Sequence, residues 1–394
     1  MKKQSKNLYL HADGDSFFVA CEISVHPELK GLPVIVGGDR GIAVAMSPEA
    51  KKLGVTRGMP VFQVKRELPD VIILSHHFDL YNDIQNRMHR ILLGYFNTIE
   101  EYSIDECFAL VKPSEVNYFG GEKELLTALK KEIEEELHVT YSIGLARTKV
   151  LAKQASKLEK PNGMVMLLTK EDEINALKNT DIDDVWGIGR QTVPELNRLG
   201  IKTAYDFVNY SKDEIKKRFS KPLLILQREL AGEPIMEVEN NVDPRDQKSL
   251  QSTSTFHPTS IDPKVIWREI AENAEHACKN ARAIHLVSNK VSFFVKTSEF
   301  KYHTDEIKLR EFTADPGVIL SAFETKFSKL LPPRKKIRST GVTLHNLTRE
   351  ENVPLDLFGK QEKKLKNLIV EETADKLREK YGDDIIKRVS SLKK

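Results

Sequence analysis

The stretch Asn7-Leu8-Tyr9-Leu10-His11-Ala12 reads as a buried strand, and it stops at Asp13-Gly14-Asp15-Ser16 before a helical run from Phe17 to Ser24. A strand that passes straight into a helix in this way leaves carboxylates at the edge of a core. Charge is costly there unless it is paired or holds a cation. A short strand at Pro33 to Val36 then leads to the turn Gly37-Gly38-Asp39-Arg40-Gly41. Ile42 to Ala45 and a helix from Pro48 to Leu53 complete a small inserted subdomain. From Asp83 to Phe96, Ile84, Met88, Ile91 and Leu92 recur at helical spacing, and Tyr102 to Leu110 alternates as a strand or hairpin. A helix from Glu122 to Leu137, with Leu125, Leu126, Leu129 and Ile133 on one face, feeds the strand Thr140 to Gly144. The helix Lys149 to Leu158 closes this part at Lys160-Pro161-Asn162-Gly163. The order β, α, β, β, α, β predicts a split βαβ sheet.

Beyond it, Lys170 to Gly232 reads as mostly helical, and the charged stretch Glu237 to Lys248 reads as a linker. A second α/β segment begins near Ser249, with a strand at Asn289 to Val295 and a helix at Val318 to Leu330. The fold class is therefore α+β and multidomain. With 61 basic against 58 acidic residues, the net charge of +3 says little about partners, so the positions of the basic residues carry that question. Cys21, Cys107 and Cys278 form no CxxC pair, which predicts neither a disulfide framework nor a zinc knuckle and fits a reducing cytosol. The basic start is broken by His11, Asp13 and Asp15, unlike a signal peptide, and no apolar run reaches the length of a membrane span.

Three acids stand out: Asp13, and the adjacent Asp105 and Glu106 in Tyr102-Ser103-Ile104-Asp105-Glu106-Cys107-Phe108. Neighbours on a regular strand point to opposite faces, so Asp105 and Glu106 converge only at an irregularity, which a tight hairpin at Ser103 to Glu106 would supply. Hard carboxylate oxygens from two strand ends suit a pair of Mg²⁺ ions, which stabilise the attacking and leaving oxygens of a phosphoryl displacement. Read alone, the same acids fit better as a helix cap at Asp13 and an exposed turn at Asp105-Glu106, and it is the surrounding sequence that favours the metal site. Asp15, just before Phe17, reads as the helix N-cap. His76-His77 has no partner at ligand spacing and reads as a surface loop.

Three blocks in order, His11-Ala12-Asp13-Gly14-Asp15-Ser16-Phe17-Phe18, Tyr-Ser-Ile-Asp-Glu at 102–106 and Lys160-Pro161-Asn162-Gly163, resemble the palm motifs of Y-family translesion DNA polymerases. The resemblance runs from Asn7 to about Leu347, with the DNA polymerase IV and polymerase V types nearest. It implies a right hand: palm 1–25 and 79–168, inserted fingers 26–78, helical thumb 169–238, linker 239–248, α/β little finger 249–348, and a clamp-binding peptide and helical tail at 349–394. It implies a template-directed, low-fidelity polymerase without a proofreading nuclease, using two Mg²⁺ with Mn²⁺ able to substitute. Asp13 and Asp105 would bridge both metals, Glu106 would hold the catalytic one, and the Gly14 carbonyl the nucleotide-bound one. The amides of Ser16, Phe17 and Phe18 would face the triphosphate, with Lys51 and Lys160 neutralising it and Phe18 as steric gate against ribonucleotides. Pro48 and Lys51 replace the tyrosine and arginine common in relatives. Lys51 cannot form a bidentate fork, which implies weaker nucleotide binding.

Trp186-Gly187-Ile188-Gly189-Arg190 through Ile201 resembles a thumb helix-hairpin-helix, with Gly187, Gly189 and Arg190 at DNA phosphates. Lys248, Lys290, Lys296, Arg334, Lys335, Lys336 and Arg338 are the little-finger candidates for backbone contact. Pro354-Leu355-Asp356-Leu357-Phe358 resembles a sliding-clamp peptide, with Leu355, Leu357 and Phe358 filling an apolar pocket. The implied partners are primer-template DNA, dNTPs and the clamp, for a monomeric, cytoplasmic, nucleoid-associated enzyme that avoids membranes. Two competitors remain at this point: a nucleotidyl cyclase on a similar palm, and a catalytically weak DNA-binding scaffold.

Overall fold

The structure, a computed structural model, describes residues 7–38, 41–240, 243–353, 361–382 and 385–386, with side chains at all but 361–369 and 379. It divides into two compact units, residues 1–241 and 242–394. The first begins with β1 (Leu8–Gly14) and α1 (Phe17–Val25), followed by β2 (Val34–Val36), β3 (Ala45–Met46), α2 (Pro48–Lys52), α3 (Val61–Glu67) and β4 (Ile72–Leu74). Next come α4 (Phe78–Tyr95), β5 (Ile99–Glu101), β6 (Glu106–Val111), α5 (Pro113–Phe119), α6 (Glu122–Leu137), β7 (Tyr141–Ala146), α7 (Lys149–Leu158) and β8 (Met164–Leu167).

Five of these strands form one sheet in the order β5-β6-β1-β7-β8, with β1 antiparallel to β6 and β7. The expected split βαβ arrangement is present. Strand β8, parallel to β7, extends it by four residues too short to read from periodicity. Both faces of the sheet are covered. Leu10, Ala12, Ala109, Ile143 and Leu145 pack with α4 and α6, whereas Tyr9 and Phe108 pack with Val150, Leu151 and Ala155 of α7. Because side chains alternate along a strand, His11 and Asp13 share the α7 face with Tyr9. Gly144 lies opposite His11, and a Cβ there would sit 2.1 Å from the Ala152 carbonyl oxygen and 2.4 Å from the Ser156 nitrogen. Helix α7 thus approaches the sheet at a distance that admits only glycine.

The short sheet β3-β2-β4 has a small core of Ile35, Ala43, Ala50, Val61 and Val64. After β8 come α8 (Lys170–Lys178), α9 (Val193–Arg198), α10 (Ala204–Asn209), α11 (Lys212–Arg218) and α12 (Lys221–Leu230), packed around Leu177, Leu196, Phe207, Ile215 and Leu230.

The second unit contains β9 (Ser249–Ser260), α13 (Pro263–Ala283), β10 (Leu286–Thr297), β11 (Tyr302–Thr313), α14 (Pro316–Leu330), β12 (Ile337–Arg349) and α15 (Gln361–Tyr381). Its strands pair antiparallel in the order β11-β10-β12-β9. Ile266, Ile270 and Ala274 of α13 and Ile319 and Phe323 of α14 cover one face, meeting Val291, Phe293, Val295 and Val342. Arg282 on α13 holds Asp375 of α15 with two parallel bonds of 2.7 and 2.9 Å. The apolar peptide 354–358 lies outside the described residues. Among those described, no helix is long and apolar enough to cross a membrane, and Cys21, Cys107 and Cys278 are buried.

Candidate active site

The site forms where β1 ends between two partners. Asp13 sits opposite Glu106 on β6 and Ser142 on β7. Between β5 and β6 the backbone turns tightly, since the N–H groups of Tyr102 and Ser103 both donate to the Glu106 carbonyl, at 3.0 and 3.1 Å. That turn also lets the Gly14 N–H reach the Asp105 carbonyl at 2.9 Å. The expected hairpin is therefore present. It brings ligand atoms of Asp13, Glu106 and His11 within 4.8 Å of one another. Asp105 is outside that group, although its main chain is bonded to Gly14 at the same strand end.

Each of the three carboxylates is held through one oxygen by a different donor. Lys160 holds Oδ1 of Asp13, Ser103 Oγ donates to Oδ1 of Asp105 at 2.6 Å, and Lys153 Nζ donates to Oε1 of Glu106 at 2.7 Å. Burial raises the Asp13 carboxyl above its ordinary range, Lys160 opposes that, and the neighbouring Glu106 and Asp105 add to it. His11 is fully buried with Nδ1 2.7 Å from Ser156 Oγ. The single Ser156 hydroxyl proton goes to the Lys153 carbonyl at 2.9 Å, so His11 donates at Nδ1 and turns the lone pair of Nε2 toward Lys153 Nζ, 3.5 Å away. Burial first, and Lys153 second, hold this imidazole well below the ordinary histidine range, hence neutral. With both nitrogens engaged, His11 supports the site and leaves the carboxylates as its ligands. An all-oxygen donor set of this kind fits Mg²⁺ or Mn²⁺ and not a soft metal.

Asp15 does not cap α1. Ser16 occupies the cap position, with φ 50° and no side-chain bond to the helix. The Asp15 carboxylate instead accepts from Ser142 Oγ and from the Asn162 N–H, both at 2.7 Å. It thereby ties the end of β1 to the Lys160-Pro161-Asn162-Gly163 turn that carries Lys160. Gly14 has no room for a side chain, because a Cβ would meet Phe17 Cδ2 at 2.8 Å. The effect of Gly14, illegible in the sequence, is thus to seat the buried Phe17 ring.

Phe18 is half-buried, stacked on Tyr81 with ring centroids 4.5 Å apart and edge-on to Phe78. The Tyr81 hydroxyl donates to buried Glu22 at 2.6 Å, and His77 Nδ1 lies 3.0 Å from the same carboxylate. Tyr81 thus gives Phe18 a fixed backing, and His77 belongs to that support. Lys51 is exposed on α2. Pro48 is at the first turn of that helix, where a missing N–H costs nothing, and Ser47 caps it by accepting from the Ala50 N–H at 3.2 Å. Gly187 (φ 90°), Gly189 and Arg190 are exposed on a turn before α9. The helix expected ahead of that turn is a single 3-10 turn, Ile182–Asp184.

In the second unit, Lys290 pairs with Glu306 at 3.0 Å and Lys335 with Glu299 at 2.6 Å. Lys296 lies over the rings of Phe300 and Tyr302, and Arg338 over Phe300. Lys248, Arg334 and Lys336 are exposed. Sequence reading missed His11 and Lys153. The signals were there: His11 is two residues from Asp13 on one strand face, and Lys153 is flanked at helical spacing by the apolar Val150 and the small Ser156 on the helix that covers that face.

A split βαβ sheet with paired acids at the end of its central strand, followed by a helical segment and a second α/β unit, defines a palm-type nucleotidyl transferase. Comparison with known proteins places it further. Residues 12–157 match the impB/mucB/samB family and residues 247–357 match that family's C-terminal domain. The chain is 31% identical to protein UmuC of Salmonella typhimurium, over 95% of this chain and 91% of that protein. It is 29% identical to DNA polymerase IV of Clostridium perfringens, over 90% and 97% respectively. Among solved structures it resembles a Y-family DNA polymerase chimera of Dbh and Dpo4, with a TM-score of 0.73 at 25% identity over 87% of this chain and 99% of that one. It also resembles DinB from Sulfolobus solfataricus, with a TM-score of 0.55 at 26% identity over 87% and 99%.

The chain belongs to the impB/mucB/samB family of Y-family DNA polymerases. It is a metal-dependent, DNA-directed DNA polymerase of the translesion type, with palm, fingers, thumb and little finger.

Proposed function

We propose that this polymerase joins a primer 3′-OH to the α-phosphate of a dNTP, breaking the bond between the α-phosphorus and its bridging oxygen and releasing pyrophosphate, with two Mg²⁺ ions that Asp13, Asp105, Glu106 and the Gly14 carbonyl would hold. When bound, the ions supply charge stabilisation to the attacking and leaving oxygens. The observation that carries this reading is the register of Asp13 against Glu106, with their oxygens within 4.8 Å at a hard-oxygen site. Asp13, Asp105 and Glu106 each have one oxygen fixed by the protein and the other facing no donor among the described residues. Lys160 exchanges Asp13 for a triphosphate oxygen when nucleotide and metal arrive, as a point charge does readily. Lys51 adds a second cation, and the amides of Ser16 to Phe18 at the start of α1 receive the phosphates. Phe18, backed by Tyr81, excludes a ribose 2′-OH.

DNA lies along the exposed Gly187, Gly189 and Arg190 turn, along Lys248 at the end of the linker, and along Lys290, Lys296, Arg334, Lys335, Lys336 and Arg338 of the little finger. Residues 1–25 and 79–168 form the palm, 26–78 the fingers, 169–238 the thumb, 239–248 the linker and 249–348 the little finger. The enzyme acts as a nucleoid-associated monomer, and Leu355, Leu357 and Phe358 dock on a sliding clamp. The test is extension of a labelled primer, with and without an abasic site in the template, by the parent chain and by Asp105→Ala. Template-dependent extension lost in the variant is the expected result. Equal extension by both chains would overturn the ligand assignment, and binding without extension by the parent would favour the scaffold reading.

A further inference from the structure

Lys153 is nearly inaccessible, with a side chain 6% exposed, yet it carries a charge beside the catalytic acids. Its ammonium faces five side chains. Glu106 Oε1 is 2.7 Å away, the lone-pair nitrogen of His11 is 3.5 Å away, and the ring centroids of Tyr102 and Trp186 lie at 4.7 and 5.4 Å, with Phe108 at 5.8 Å. The cage is itself braced. Trp186 Nε1 donates to the Tyr102 hydroxyl at 3.1 Å, and the two rings meet edge to face at 5.4 Å. Tyr102 belongs to the hairpin that presents Asp105 and Glu106, and Trp186 immediately precedes Gly187. A desolvated ammonium among three aromatic faces, a neutral imidazole and one carboxylate has a single strong partner, so Glu106 is where its field is directed.

We propose that Lys153 is a positioning residue: it fixes Glu106 by one oxygen so that the other is presented to the metal, and the Tyr102–Trp186 pair holds Lys153 at that spot. The inference rests on the polymerase reading for its consequence but not for its geometry. Two effects separate positioning from mere packing. A cation beside a metal ligand repels the incoming metal, so removing it strengthens metal binding. The same removal frees Glu106, so turnover falls even with metal saturating.

The test uses the full chain with Trp267→Phe, so that Trp186, which forms part of the cage, is the remaining indole. Mg²⁺ alone is titrated and the emission of Trp186 followed, then primer extension is measured at saturating Mg²⁺ and dNTP. Lys153→Met is expected to lower the Mg²⁺ midpoint by about tenfold, as loss of one nearby unit charge implies. Its turnover is expected to fall by about tenfold to a hundredfold, the scale of a misplaced catalytic group. Lys153→Arg keeps the charge, and is expected to restore the parental midpoint and part of the rate, which also covers the case of a Met variant that does not fold. A parental rate in Lys153→Met, or the same midpoint in the Met and Arg variants, overturns the proposal. If the parent extends no primer at all, the polymerase reading fails separately, and the emission midpoints still decide the placement of Lys153.

Discussion

The little-finger sheet and the first four strands of the palm sheet are each built from the string β, α, β, β, α, β, and they use it in opposite ways. In the palm the first strand is central, and its register places Asp13 against Glu106. In the little finger the second and fourth strands are central, and the first, β9, is at an edge. The palm strands β1 and β7 are buried on both faces. Charge there survives only in pairs, and those pairs are the site. The little-finger strands β9 and β11 alternate exposed and covered residues, so one face is free for a broad surface. A buried sheet thus concentrates chemistry at a point, and a half-open one spreads weak contacts.

The largest expected effect breaks the palm half of this contrast. Asp13→Asn is expected to reduce primer extension by about a thousandfold or more, since loss of metal charge stabilisation costs several kcal/mol and each 1.4 kcal/mol is tenfold. No single charge removed from the little-finger sheet should approach that in a steady-state extension assay. If one does, the division between a point site and a distributed surface is wrong.

A second contrast is mechanical. Gly144→Ala drives a Cβ into the backbone of α7, 2.1 Å from the Ala152 oxygen, and backbone cannot step aside. Gly341→Ala in β12 meets the Phe294 ring at the same 2.1 Å, but that ring is half-buried and can swing toward solvent. The palm substitution is expected to cost about 3 kcal/mol and the other about 1 kcal/mol, the two ends of the overpacking range. Trp186 lies in the first unit and Trp267 in the second, so single-tryptophan variants report each loss in its own emission melt. Equal losses would mean that the little-finger sheet is packed as rigidly as the palm.

Binding should separate residues within the little finger. Lys296→Ala, removing a cation held over two rings, is expected to reduce the salt dependence of DNA affinity by about one phosphate contact. Lys335→Ala and Lys290→Ala should change it less, because each of these lysines already faces a glutamate. Affinity measured across a salt series checks the order.

The fold was legible wherever periodicity ran long. The helices Glu122–Leu137 and Lys149–Leu158 match the expected bounds, and so does the hairpin at Ser103 to Glu106. What the sequence concealed was partnership across distance. Asp15 reads locally as a cap, because a carboxylate before a helix has an amide to accept from. In the fold it accepts from Ser142 and Asn162, 127 and 147 residues away, which no local rule contains. Lys153 was hidden for the same reason: a lysine in a helix reads as solvated until the sheet beneath it is known. The three blocks carrying the family resemblance were legible because two of them sit at strand ends and the third in a turn, where residue type follows from geometry.

The smallest expected effect sharpens the comparison by sign. Burial places the Asp13 carboxyl above its ordinary range, so the folded palm takes up this proton more readily than the unfolded chain. Its contribution to stability therefore grows as pH falls through the folded value toward the ordinary one, and Asp13→Asn should raise the Trp186 melting midpoint near pH 7 while removing that trend. In the second unit the Arg245 guanidinium, bonded to Asp243, draws that carboxyl down to about 2. Its contribution is present above the ordinary aspartate value and is lost as pH falls toward 2. Asp243→Asn should therefore lower the Trp267 midpoint near pH 7, slightly, because both partners are open to solvent, and added salt should erase the difference. Emission melts of the two variants at low and high salt decide the matter. Shifts of the same sign would show that the Asp13 charge stabilises the palm, and the cost of holding a catalytic acid there would have to be sought elsewhere in the site.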